Sequence, residues 1–198
     1  TMAECSNARA SSAAQFLNDM LPCAFAGVKD SHMDVKRNAI YMLGVLALHL
    51  KPQLEGHIMQ LLSLLHPIFS NVDKYANVVV DNACGAIARV IKAQYNVPLE
   101  QVLPVFIKSL PLREDFDENE VVYSSILSLI QSGHPAVAQC MKETLTMFAR
   151  VLSLDTTQPE VKSSIGKVLT GFKQQFSAQV AQVLAQCDTQ TQQVIGSL

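Results

Sequence analysis

The densest chemistry in this chain of 198 residues is the run Arg113-Glu114-Asp115-Phe116-Asp117-Glu118-Asn119-Glu120. Five carboxylates occupy seven positions there, from a sequence holding only 17 acids. Such a run can neutralise a lysine or arginine on a partner through charge-assisted hydrogen bonds. It can equally be a solvated acidic turn whose charges favour the positive end of a following helix, at about 0.3–1 kcal/mol each. Residue types alone leave both open.

A pair of asparagines comes next. Asn38 in Val35-Lys36-Arg37-Asn38-Ala39 and Asn82 in Val79-Val80-Asp81-Asn82-Ala83 hold matching places in similar segments. Asparagine is a mediocre helix former because its short amide competes for backbone bonds, so its recurrence needs a reason. One reason is a ladder of amides joining neighbouring repeats. The other is an amide on display, giving and accepting hydrogen bonds with the peptide group of an extended ligand. Asp81 adds negative charge beside Asn82, and Tyr41 and Tyr123 offer flat packing surface.

Other chemistries find no support. His32, His49, His57, His66 and His134 form no HxxxH, HExxH or Cys/His spacing, which favours helix-end or solvated histidines over a metal site. The glycines stand singly and make no phosphate loop, and no serine sits in a GxSxG elbow. Neither an enzyme nor a cofactor is expected. A net charge of −2 supplies no general basic field for nucleic acid or an anionic membrane. The five cysteines are scattered and never form CxxC, the usage of small hydrophobes in a reducing compartment. No apolar run nears the ~20 residues that span a bilayer. Thr1 precedes Met2, as expected of a chain excised from something longer.

The elements that must position these residues read as helix almost throughout. Apolar stripes such as Leu54, Ile58, Leu61, Leu62, Leu65 and Phe69 keep helical spacing, and no period-2 alternation suggests strands. Prolines and glycines punctuate the stripes, at Pro52, Pro98, Pro111, Gly133–His134–Pro135 and Pro159. Helices are expected near 11–28, 33–50, 54–70, 76–94, 99–109, 119–132, 136–153, 159–175 and 178–195. The second helix of each pair opens on a valine, at Val35, Val79, Val122 and Val161, with spacings of 44, 43 and 39 residues. Two-helix repeats of this period mark HEAT or armadillo solenoids. A lone hairpin cannot bury both apolar faces, so it stacks on its neighbours. Small residues such as Ala39, Gly44, Ala83, Gly85, Ala86 and Ala88 let the helices approach closely. The expected fold is all-α: a right-handed α-solenoid of HEAT repeats forming a single array over 1–198. Its hairpins fall at 11–50, 54–94, 99–132 and 136–175, with a capping helix at 178–195.

With the repeats in place, a resemblance becomes specific. VKRNAIYMLGVLA (Val35 to Ala47) and VVDNACGAIARV (Val79 to Val90) resemble successive inner helices near the end of importin-beta (karyopherin-beta) nuclear transport receptors. LPLREDFDENE (Leu110 to Glu120) is similar to the LPL-plus-acids turn that follows. The resemblance covers nearly the whole chain and is least specific towards its end. It implies a superhelix of which this chain forms the last repeats, shuttling between cytoplasm and nucleus, with Ran GTPase bound by amino-terminal repeats outside this chain. In the histone-carrying members of the family, an Asn on one inner helix and acids on the next repeat surround a cargo lysine. Those roles map to Asn82, Asp117 and Glu118, with Asp81, Glu114 and Asp115 as weaker neighbours and Asn38 and Glu120 on the same strip. The implied partner is a basic protein cargo such as histone H3 or H4, held on the concave face without direct contact to nucleic acid or membrane. The alternative of a different class is a structural HEAT scaffold that reads no basic peptide.

Overall fold

A computed structural model describes residues 16–198, and among these every regular element is helical. The helices pack as stacked HEAT-type hairpins, as the 3.6-residue stripes require. The start of the first expected helix, residues 11–15, lies outside the described residues. Contacts gather into two compact units, Thr1–Asn96 and Val97–Leu198.

In the first unit, α1 (residues 16–28) precedes α2 (Met33–His49), the single turn α3 (Lys51–Leu54), α4 (Ile58–Ser70) and α5 (Asn77–Lys92). The second helices α2 and α5 lie against each other, and α4 packs on α5. Ile40, Leu43, Leu61, Leu65 and Val80 are fully buried between them. Close approach depends on side chains that are absent. A Cβ on Gly44 would fall 2.8 Å from the Ala86 Cα, and one on Gly27 would fall 2.8 Å from the Ala39 Cβ.

Helix ends in this unit are closed by side chains. The Lys36 ammonium donates to the Val28 carbonyl at 2.6 Å and so satisfies the end of α1. His32 accepts from the Asp34 amide as N-cap of α2. After α5, Gln94 takes a left-handed φ of 56° and turns its carbonyl to the Lys51 ammonium, 2.7 Å away. The buried Tyr95 hydroxyl then donates to the Ala47 carbonyl at 2.8 Å, tying the end of α2 to the end of α5.

The second unit runs α6 (Leu99–Lys108), a 3-10 turn (Phe116–Glu118), α7 (Asn119–Gln131), α8 (Pro135–Gln139), α9 (Met141–Ser153) and α10 (Pro159–Gln175). It closes with α11 (Ser177–Leu184) and α12 (Thr189–Gly196). The first helices stack as α6, α9 and α12, and the second helices as α7 on α10. Phe106, Tyr123, Ile126, Phe148 and Ile165 fill the space between the layers. The Tyr123 and Phe148 rings meet at 6.2 Å and 56°.

Three expected helices are interrupted. The 54–70 helix passes through the 3-10 turn Glu55–His57 and becomes α-helical only from Ile58. The 136–153 helix breaks at Cys140, whose carbonyl accepts from the Thr144 hydroxyl and whose thiol points back to the Ala136 carbonyl. The 178–195 cap is two short helices, because the Asp188 carboxylate accepts from the Thr191 amide and hydroxyl and so starts α12 afresh.

Gly44→Leu is expected to destabilise the chain by about 1–3 kcal/mol through overpacking, more than the ~1 kcal/mol it regains in helix propensity. Gly171→Ala, on α10 with open space around it, should instead stabilise by about 0.5–1 kcal/mol. Urea midpoints of the two variants test this contrast. Burial, helped by the charge of Glu55, pushes the Tyr95 phenol up to about 12 from its ordinary 10.0. The folded chain therefore favours the neutral phenol, and this stabilisation is complete below pH 10 and lost as pH rises from 10 to 12. Tyr95→Phe should remove that part of the alkaline destabilisation, seen by comparing thermal midpoints of the two proteins across that window.

Candidate functional site

The acidic run enters the structure through two anchors. Leu110 and Leu112 are buried, and the Leu112 amide donates to the Tyr123 hydroxyl at 3.3 Å. The chain then makes the 3-10 turn Phe116–Glu118 and passes straight into α7.

What holds the turn in place comes from the next hairpin. The Gln158 side-chain amide donates to the Phe116 carbonyl at 3.0 Å, and its oxygen accepts from the Asn119 amide at 2.9 Å. Asn119 is 2% exposed and reaches the Thr156 carbonyl as well, at 3.5 Å. One carboxamide, read in both directions, thus fastens the start of α7 to the start of α10.

This clamp brings three carboxylates to the rim of one depression of about 500 Å³: Asp117, Glu120 and Glu160. All three are exposed and none forms an ion pair among the described residues. Tyr123, Leu127 and Val161 supply an apolar floor. Glu120 and Glu160 stand in the first turns of α7 and α10, where the helix dipoles also favour them.

The expected site residues divide between the two units. Asp117 and Glu120 face the depression in the second unit. Glu118 beside them is 4% exposed and already has a partner, as have exposed Glu114 and half-buried Asp115 on the preceding loop. In the first unit, Asp81 is fully buried in α5, and Asn82 is 3% exposed with its amide donating to the Val78 carbonyl at 2.8 Å. Asn38 is exposed on α2. Matching register therefore does not give matching surroundings, and no hydrogen bond joins Asn38 to Asn82. Glu160 and Gln158 escaped the sequence reading. The signal for Glu160 was its place just before Val161, close to where Glu120 precedes Val122 in the aligned repeats.

The remaining chemistry is structural. His32 and His134 cap α2 and α8, and His57 rests on the Phe25 ring at 5.9 Å. Among the described residues no cluster of His, Cys, Asp and Glu could hold a metal, and no helix is long and apolar enough to cross a membrane. Cys84, Cys140 and Cys187 are buried, and burial pushes the Cys140 thiol above its ordinary value.

Gln158→Ala should cost about 1–3 kcal/mol, because the buried Asn119 amide loses its best partner. Faster amide hydrogen exchange at the start of α7, beyond the global change, would identify the loss as local.

Comparison with known proteins finds relatives in a yeast and in two mammals. The chain is 31% identical to "Probable importin subunit beta-4" of Schizosaccharomyces pombe over 169 residues, which is 84% of this chain and 16% of the relative. It is 30% identical to Importin-4 of Homo sapiens over 178 residues, 89% of this chain and 16% of the relative. Importin-4 of Mus musculus is 31% identical over the same length. The chain thus spans about one sixth of the length of these relatives. No family model matches it.

Proposed function

Given that this chain belongs to the importin-beta family, we propose that it is the carboxy-terminal cargo-binding segment of a nuclear import receptor. In this reading its hairpins form one array whose inner helices bind lysine-rich segments such as histone H3 tails. The receptor shuttles between cytoplasm and nucleus, and Ran GTPase engages repeats outside this segment. The observation that carries the reading is the trio Asp117, Glu120 and Glu160, three carboxylates around one depression that form no ion pair among the described residues.

A lysine side chain suits that geometry. Its methylene stem lies on Tyr123, Leu127 and Val161, and its ammonium meets the carboxylates at the rim. Asp117 keeps the role expected from the sequence, while Glu120 and Glu160 take the place first given to the buried Glu118. Asn38, exposed on α2, remains a proposed contact on the first unit, whereas Asp81 and Asn82 are buried in α5 and are not proposed to touch the cargo. Glu114 and Asp115 add to the field without lining the depression. Exposed charge pairs contribute about 0.2–1 kcal/mol each and act mainly on association rate and specificity.

The test is binding of an H3-tail peptide at several salt concentrations. Asp117→Lys combined with Glu120→Lys is expected to weaken binding at least tenfold and to flatten its salt dependence. Unchanged affinity would leave the structural scaffold as the better reading.

A further inference from the structure

The acidic depression is one end of a longer seam. Along α7 the residues facing it continue from Glu120, Ser124 and Leu127 to Ile130 and Gln131, a single stripe at helical spacing. On α10 the stripe runs from Glu160 and Ser164 to Val168, Gly171, Phe172 and Gln175. Amino-terminal residues of both helices share one depression and carboxy-terminal residues share the other, so the helices run parallel and the seam has unlike ends. The far depression, about 330 Å³, is floored by Ile130, Val168 and Phe172 and flanked by Lys167, its only charged side chain among the described residues.

We infer that the α7–α10 seam is a two-anchor docking groove for an extended peptide, taking a cation at the acidic end and an uncharged apolar side chain at the far end. The inference rests on the reading of the acidic end given above. Charge complementarity selects the occupant: three carboxylates call for a cation at one end, and Lys167 repels one at the other. Magnitudes require the second anchor. Exposed charge pairs alone give weak attachment, whereas burying one apolar side chain adds ten- to a hundredfold in affinity, by about 1.5–3 kcal/mol. Spacing follows from helix rise. The eleven positions from Glu120 to Gln131 cover about 16 Å, which an extended chain spans in about five residues.

Fluorescence anisotropy on the whole 198-residue chain tests this with labelled glycine–serine peptides. One set carries paired lysines and a leucine five residues away, in either order; the controls replace the leucine by serine or move it two residues from the lysines. At least one order of the five-residue peptide should bind ten- to a hundredfold more tightly than both controls. Gly171→Gln adds a neutral side chain where nothing lies within 4 Å. It should reduce the two-anchor peptide to the level of the serine control and leave that control unchanged. Equal affinity for all peptides with normal salt dependence, or indifference to Gly171→Gln, overturns the second anchor alone. Absence of salt-dependent binding by any peptide overturns the acidic end and the groove with it.

Discussion

Contact between second helices is the constraint on which the architecture depends. A helical hairpin has two apolar faces and can cover one by itself, so the other must meet a neighbouring hairpin at side-chain range. In the first unit that meeting is possible because Gly44 presents nothing to Ala86. Ile40 and Leu43 on α2 and Val80 and Ala83 on α5 can then be buried completely, a density that leaves no room for adjustment. Where α7 meets α10, larger residues such as Ile126 and Ile165 do the same work, and the seam between the helices opens towards solvent at two places.

Polar groups in these layers mostly serve the backbone. Lys36, Tyr95, Lys51 and His32 close helix ends, each taking or giving one bond that the helix leaves unmade. Against that background, Asp117, Glu120 and Glu160 differ. Among the described residues their carboxylates satisfy no backbone group and form no ion pair, which is why the acidic depression stands out from the other polar features.

Much of this was legible in the residues. Helical spacing and the recurring valines point to stacked hairpins, and the small residues Gly44 and Ala86 point to close packing. Helix continuity was less legible, because Cys140 and Asp188 interrupt apolar stripes that keep their period across the break. The acidic run was visible as a cluster, but which acids turn outward was not. Glu118 is buried between exposed Asp117 and Glu120 in a turn whose Phe116 and Asn119 are held by Gln158, about one repeat further on in sequence. The asparagine pair shows the same limit: identical register leaves Asn38 in water and Asn82 in the interior, since register fixes direction on a helix and not what lies beyond it.

The carboxamide of Gln158 also determines how pliable the acidic depression can be. Its two hydrogen bonds tie the mouths of adjacent hairpins together, so the gap between Glu120 and Glu160 is fixed before any ligand arrives. For the cargo chain proposed above, walls held in this way would surrender little conformational entropy on complexation and leave the ordering cost with the ligand.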